Sequence, residues 1–239
     1  SREQQKNTDP MKKIAFIFAR GGSKGLPNKN TLDFCGKPLI AHTIHESISS
    51  EIFDDVVVST DDEVIAKIAR EYGASVPFER PKELACDDSD EWQSWKHAIE
   101  NYRDDFDIFI SLPCTSPLRE YSDISSMIDK YKNINCDAVI GITKSNHNPS
   151  FNMVNKNSEG VISLLEKSDN NIFRRQDSGK CYNITTYAYI CKPQFIQESK
   201  NLLSGKIYGY ELEKRVCVDI DDIDDFKFAE FLQNNKGNN

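Results

Sequence analysis

Glycines and basic side chains are concentrated in one short stretch near the start of the chain, directly after an apolar run. Residues 14–18 read IAFIF, and they lead into ARGGSKGLPNKN at 19–30. Glycines allow the backbone to turn and to bring its N–H groups close to an anion. Arginine and lysine add positive charge, and one arginine can bind two phosphate oxygens at once. The stretch is typical of a phosphate-binding loop, and an ordinary turn with solvated cations is the alternative.

This loop differs from the two common glycine-rich phosphate loops. The pattern G-x-x-x-x-G-K-[ST] does not occur in any register of the stretch. The dinucleotide pattern G-x-G-x-x-G would require a glycine where Arg20 stands. The sequence therefore predicts phosphate binding without either of those two loop types.

A pair of aspartates, Asp219 and Asp221, follows another apolar run near the end of the chain. We predict a strand at 216–218, and side chains two residues apart on a strand point to the same side. Two neighbouring carboxylates beside bound phosphates suit Mg²⁺, which prefers oxygen ligands and keeps several of its waters. The alternative is that both aspartates only cap the final helix, as we expect for the aspartates from Asp222 onward.

Between these two stretches, apolar runs alternate with segments of helical periodicity. Strands are predicted at 56–58, 74–78, 107–112 and 137–142. Helices are predicted from Pro38, after a cap at Thr60 or Asp61, along a Trp92–Trp95–Ile99 stripe, and at 121–133. This alternation predicts an α/β fold with a mainly parallel sheet and helices on both faces.

Composition narrows the class of protein. The chain has 239 residues, of which 38% are hydrophobic and 28% charged, so we expect a packed core. A net charge of −8 argues against general nucleic-acid binding. No apolar run has the length of a membrane span and no secretory signal pattern is present, so we expect no membrane partner.

The cysteines and the first residues give two further expectations. The seven cysteines include no C-x-x-C pair and are typical of reduced thiols in a cytoplasmic protein. Residues 1–10 are polar and precede Met11, and we interpret them as a tail, a cloning remnant or the end of an upstream segment. We expect residues 11–235 to form a single domain, with an irregular insertion at about 144–182.

Six blocks of sequence carry a resemblance to a known family. They are ARGGSKGLPNKN (19–30), KPLIAHTI (37–44), VVVSTDDEVIAKIAREYGA (56–74), ERPKELACDDS (79–89), TSPLR (115–119) and VDIDD (218–222). In this order they resemble the sugar-activating cytidylyltransferases, and most closely the CMP-acylneuraminate synthetases. The resemblance implies a Rossmann-like α/β fold of the nucleotide-diphospho-sugar transferase type. It also implies Mg²⁺-dependent transfer of CMP from CTP to a nine-carbon, sialic-acid-like sugar, by a homodimer.

The same resemblance assigns roles to individual residues. It implies catalytic roles for Arg20, Lys24, Asp219 and Asp221, of which the two aspartates hold the metal. CTP contacts are implied for Ala19, Gly21, Gly22, Ser23, Lys29, Asn30 and Arg80. Sugar contacts are implied for Lys144, Arg175 and Tyr189, and the insertion at about 144–182 is implied to form a β-rich dimerisation element.

Two departures from the family pattern affect the sugar. Pro113 stands where many relatives have a glutamine that helps to bind substrate, and proline has neither a side-chain amide nor a backbone N–H. Asn183 stands where relatives that use N-acetylneuraminate often have an arginine. These changes favour a related nine-carbon acid, such as a legionaminic-acid-like sugar. The alternatives are a Kdo cytidylyltransferase, an enzyme that uses another nucleotide such as UTP, and a non-catalytic nucleotide-sugar sensor on the same fold.

Overall fold

The computed structural model describes residues 10–22, 25–86, 90–166 and 179–236. Its strands, in chain order, are β1 (Lys13–Phe18), β2 (Asp33–Phe34), β3 (Lys37–Pro38), β4 (Asp55–Ser59), β5 (Ile108–Ser111), β6 (Ala138–Lys144), β7 (Val154–Lys156), β8 (Ile162–Leu164), β9 (Tyr182–Cys191) and β10 (Ile207–Glu211). The α-helices are α1 (Leu39–Ser49), α2 (Glu63–Glu71), α3 (Glu91–Asn101), α4 (Tyr121–Asn133), α5 (Pro193–Glu198) and α6 (Ile223–Asn234).

The central sheet has six strands in the order β10-β6-β9-β5-β1-β4. Parallel pairing joins β1 to β4 and to β5, and β10 to β6. Strand β9 is antiparallel to both of its neighbours, β5 and β6. The prediction of a mainly parallel α/β sheet is therefore confirmed, with β9 as the exception.

Helices cover both faces of this sheet, as predicted. The side chains of β1 alternate between the two faces of the sheet. Ala15 and Ile17 pack into the core on one face, and Ile14 and Phe16 pack into the core on the other. The first core is closed by apolar residues of α1, α2 and α4, such as Ile44, and the second by residues of α3 and α5. Both faces of the sheet are thus buried, which explains why its strands read as continuous apolar runs.

Two predicted strands are wrong. In 74–78 only Ser75 pairs with the sheet, through a single bridge to Val57, and Pro77 ends the pairing because it has no N–H to donate. The segment 216–218 overlaps a 3-10 helix, Lys214–Cys217, and does not join the sheet. Its continuation instead meets the loop after β5, where the Ile220 N–H donates to the Thr115 carbonyl at 2.9 Å.

The helix caps follow the sequence signals with one shift in position. Helix α6 begins at a capping box. The Asp222 carboxylate accepts from the Asp224 and Asp225 N–H groups, and the Asp225 carboxylate accepts from the Asp222 N–H, so these aspartates cap the helix as expected. Helix α2 is capped by Asp62, whose Oδ1 accepts from the Val64 and Ile65 N–H groups. The predicted cap at Thr60 or Asp61 is therefore wrong, and Asp61 is available for another contact.

The insertion contains a short antiparallel hairpin formed by β7 and β8, and all six of its strand residues are exposed. Arg175 belongs to the stretch 167–178, which lies outside the described residues. Across the described ranges, no helix has both the length and the apolar character needed to cross a membrane.

Candidate active site

The strands of the sheet end at a cleft of about 590 Å³. The parallel strands β1 and β5 reach it with their carboxyl ends, where ligands bind in open α/β sheets. Because β9 is antiparallel, its amino end lies at the same edge of the sheet. The lining comprises Phe18, Arg20, Gly25, Lys29, Asn30, Glu91, Pro113, Cys114, Thr115, Thr186, Asp219 and Asp221. Side chains from the glycine-rich loop and from the aspartate pair thus share one cleft.

The glycine-rich loop is held by hydrogen bonds at both of its ends. The Gly21 N–H donates to Asp61 Oδ1 at 3.1 Å, and the Asn30 side-chain amide donates to the Arg20 carbonyl at 3.1 Å. The buried Cys114 thiol donates to Asn30 Oδ1 at 3.0 Å. The loop is therefore held in place by the residues that precede α2 and by the loop that follows β5. Ala19, at the start of the glycine-rich loop, is buried.

Two glycines in this loop are required by close approaches. A Cβ at Gly21 would lie 2.5 Å from Asp62 Oδ2, and a Cβ at Gly25 would lie 2.4 Å from the Asp221 carbonyl oxygen. A side chain at Gly21 would thus displace the Asp62 side chain that caps α2, and a side chain at Gly25 would displace the backbone of Asp221. Ser23 and Lys24 lie outside the described residues, so their predicted phosphate contacts stay predictions.

Lys29 connects the glycine-rich loop to the aspartate pair. Its ammonium group donates to the Ile220 carbonyl oxygen and lies 3.8 Å from Asp221 Oδ1. Together with the Ile220–Thr115 backbone hydrogen bond, this contact holds the segment that carries Asp219 and Asp221 over the cleft.

The two aspartates have different environments, which their predicted strand spacing did not indicate. Asp219 is partly buried, and its Oδ1 is a buried atom with no hydrogen-bond partner among the described residues. Burial raises the pKa of Asp219, although hydrogen bonds from Thr115 and Thr186 act in the opposite direction. The Asp221 side chain is 81% exposed. Asp219, which lines the cleft, thus has a buried and unsatisfied oxygen, and Asp221 lies at the rim.

Arg80 lies in an adjoining cavity of about 310 Å³, which shares Phe18, Arg20 and Glu91 with the main cleft. The Arg80 side chain is 6% exposed, and within the described part of the chain its Nε has no hydrogen-bond partner. Desolvation lowers the pKa of Arg80, and the charges of Asp61 and Glu91 oppose this shift. A buried guanidinium with an unused N–H donor can bind a planar polar ligand by donating a hydrogen bond to it.

Sequence reasoning missed Glu91, which lines both cavities. Desolvation raises the pKa of Glu91, and the charge of Asp219 also contributes to this shift. The residue follows the helix cap Asp90, so in the sequence it resembles an ordinary acidic residue of a first helical turn. Thr115 and Thr186 were also missed. Thr115 follows the carboxyl end of β5, whereas Thr186 lies inside β9, where no sequence signal marked it.

The three predicted sugar contacts are placed differently. Tyr189 is half-buried in β9 with its ring 5.3 Å from that of Trp95, and burial raises the pKa of its hydroxyl. Lys144 is exposed and its Nζ lies 3.1 Å from Glu211 Oε1. Neither residue is among those that line the 590 Å³ cleft in the described structure, and Arg175 lies outside the described residues.

Comparison with known proteins gives relatives over almost the whole chain. An N-acylneuraminate cytidylyltransferase of Streptococcus agalactiae is 34% identical over 218 residues, covering 90% of this chain and 52% of the relative. A CMP-N,N′-diacetyllegionaminic acid synthase of Campylobacter jejuni is 31% identical over 223 residues, covering 92% and 94%. This chain thus spans about half the length of the N-acylneuraminate cytidylyltransferases that it matches.

A solved structure of CMP:2-keto-3-deoxy-manno-octonic acid synthetase complexed with CTP has the same fold, with a TM-score of 0.72 and 17% identity, and the match covers 94% of this chain and 99% of that one. The model of one protein family, described as "Cytidylyltransferase", matches residues 14–236. This range includes the glycine-rich loop, Arg80 and both aspartates of the cleft. The chain therefore belongs to the cytidylyltransferase family.

Proposed function

We propose that this protein transfers CMP from CTP to the anomeric hydroxyl of a nine-carbon, sialic-acid-like sugar and releases pyrophosphate. The observation that carries the proposal is the shared cleft, in which Arg20 and Lys29 face the carboxylates of Asp219 and Asp221. The names of the relatives, which include an N-acylneuraminate cytidylyltransferase and a CMP-N,N′-diacetyllegionaminic acid synthase, support the substrate class.

The nucleotide would occupy both cavities at once. Its triphosphate suits the glycine-rich loop, where backbone N–H groups, Arg20, Lys24 and Lys29 can neutralise charge. Its cytosine suits the cavity with Arg80, whose buried donors match a pyrimidine's acceptor atoms. The cavities share Phe18 and Arg20, as a ligand that extends from base to phosphate requires.

The aspartate pair fits a magnesium ion. The fit rests on Asp219 Oδ1, a buried carboxylate oxygen for which the described residues provide no hydrogen-bond donor. A hard divalent cation would satisfy this oxygen, and the exposed Asp221 can provide a second oxygen while waters complete the shell. When bound, Mg²⁺ supplies charge neutralisation for the phosphates.

The residues of the chain would contribute mainly position and charge. The anomeric hydroxyl of the sugar loses its proton to solvent as its oxygen forms a bond to the α-phosphorus, and the bond from that phosphorus to the bridging oxygen of pyrophosphate breaks. Arg20, Lys24 and Lys29 stabilise the negative charge that develops on the phosphates. No covalent intermediate on the protein is required.

The insertion is proposed to form a homodimer contact. Its hairpin exposes a group of apolar side chains, of which Ile162 is 62% exposed. Such a patch on a folded protein marks an association surface. Analytical ultracentrifugation should show a dimer that dissociates on Ile162→Glu. Leu203→Glu, at a residue that is 65% exposed in another part of the chain, should leave the dimer intact.

Pyrophosphate release from CTP and Mg²⁺ tests the proposal, with N-acetylneuraminate, legionaminate, pseudaminate and Kdo as acceptors. We expect release with at least one nine-carbon acid and its loss in Asp219→Asn. Asp224→Asn is the matched control, because Asp224 lies in the first turn of α6. Release with Kdo alone would establish the Kdo cytidylyltransferase alternative. CTP binding without release for any sugar would favour the sensor.

A further inference from the structure

A second cavity, of about 520 Å³, adjoins the cleft described above. It lies between the amino end of β9, the 3-10 helix Lys214–Cys217 and α6. The two cavities share Thr186 and Asp219, so a ligand that fills the second cavity reaches the aspartate of the candidate active site. Its volume lies in the range of small-molecule sites, about 300–1,000 Å³.

The walls of this second cavity are mainly apolar. Ile184, Val218, Phe228 and Leu232 contribute to its lining, and the Phe228 side chain is 53% exposed. An aromatic ring left half-exposed in a concave site indicates an apolar surface that a ligand covers. Lys214 and Arg215 also contribute to the lining, so the same cavity offers positive charge.

We propose that this cavity binds the acyl and methyl substituents of the sugar acid and that Phe228 determines specificity for them. This inference rests on the proposed function and identifies the part of the sugar that the site recognises. A nine-carbon sugar acid has a carboxylate beside its reacting carbon and acylamino groups further along its chain. That arrangement matches positive charge and an apolar wall in a cavity that reaches Asp219.

The proposal favours sugars with more apolar substituents. N,N′-diacetyllegionaminate has two acetamido groups and a terminal methyl group, where N-acetylneuraminate has one acetamido group and a terminal hydroxyl. In an apolar pocket each additional methyl or methylene group changes recognition by about 10-fold or more. Asn183, which also contributes to the lining, leaves this pocket without the arginine that the family pattern places there.

The test compares Phe228→Ala with Phe231→Ala. Both residues lie on α6, and Phe231 is 62% exposed and does not belong to the described lining of the cavity. We expect Phe228→Ala to raise KM for N,N′-diacetyllegionaminate about 10-fold in the pyrophosphate assay, with a smaller rise for N-acetylneuraminate and an unchanged KM for CTP. Phe231→Ala should leave all three values unchanged.

Equal effects of the two substitutions, or an unchanged KM for the sugar, would overturn the proposal. A change from dimer to monomer in Phe228→Ala alone would also overturn it, because a second copy of the chain would then cover the cavity. Isothermal titration of each sugar into CTP-loaded protein, with EDTA present so that the Mg²⁺-dependent reaction does not run, provides a readout that does not depend on turnover. Sugar binding that Phe228→Ala weakens, without pyrophosphate release by the native protein, would support the pocket and refute the proposed reaction.

Discussion

Replacing Asp219 by asparagine should raise the stability of the metal-free protein and lower its activity. The Asp219 carboxylate has a buried oxygen that no donor among the described residues satisfies. An unsatisfied buried polar group costs about 1–3 kcal/mol, and more when it is charged. Asparagine has nearly the same shape and removes the charge. We expect the free energy of unfolding of the metal-free protein to rise by about 1 kcal/mol at pH 7, which corresponds to about 2–4 °C in Tm for a chain of this size.

The pH dependence of this difference has a definite sign. The pKa of Asp219 is raised in the folded state, because burial disfavours the charged form. Below the unfolded-state pKa of about 3.9 the carboxyl is protonated in both states and Asp219 carries no penalty. The penalty grows as the pH rises from the unfolded-state pKa to the higher folded-state pKa, and it is complete above the folded-state pKa. The stability advantage of Asp219→Asn should therefore be present at pH 7 and shrink as the pH approaches 4.

Thermal unfolding followed by circular dichroism, with EDTA present and at several pH values between 4 and 8, measures this effect. The pyrophosphate assay on the same samples should show activity lower by a factor on the order of 10²–10³. Added Mg²⁺ and CTP should raise the Tm of the native protein more than that of Asp219→Asn. A variant that is less stable than the native protein at pH 7 without metal, or that retains full activity, would refute the reasoning.

Two further substitutions test other parts of the site, and a third tests a buried hydrogen bond of the fold. Lys24→Ala should reduce turnover by a factor on the order of 10²–10³ in the pyrophosphate assay, and full activity would contradict the phosphate role of the loop. Arg80→Lys should raise KM for CTP about 10-fold, since lysine lacks the planar donor fork, while KM for the sugar is unchanged. Tyr187→Phe removes an O–H that donates to the Glu120 carbonyl at 3.0 Å and accepts from the Glu120 N–H. It should lower the free energy of unfolding by about 1–2 kcal/mol in urea titrations without changing activity per folded molecule.

The elements that sequence predicted best are those with strong local signals. Helix α4 occupies 121–133 as predicted, and the aspartate after VDID caps α6 as expected. Trp92 and Trp95 are buried on one face of α3, because their spacing places them on the side that packs against the sheet. These features depend on residues within one or two turns of each other.

The features that sequence did not predict depend on distant partners. Strand β9 pairs antiparallel between β5 and β6, although both of those strands precede it by many residues. Its ten residues, YNITTYAYIC, mix polar and apolar side chains, and nothing local indicates the direction of its pairing. The segment 216–218 has strand-like composition, but it overlaps a 3-10 helix, and the chain meets Thr115 only at Ile220. Glu91 was missed for the same reason, since Arg80 and Asp219 approach it only in the folded chain.

The order of the aspartate segment depends more on backbone contacts than on its ion pair. Lys29 Nζ lies 3.8 Å from Asp221 Oδ1, and because the Asp221 side chain is 81% exposed, this pair contributes about 0–1 kcal/mol. The segment is also tied to the glycine-rich loop by the Lys29–Ile220 carbonyl hydrogen bond, and the Asp221 carbonyl packs so close to Gly25 that no side chain fits between them. Asp221 can therefore exchange Lys29 for a metal ion at little cost while its backbone stays in place. Asp221→Asn should accordingly weaken Mg²⁺ binding without lowering the Tm of the metal-free protein, whereas Gly25→Ala should disturb both.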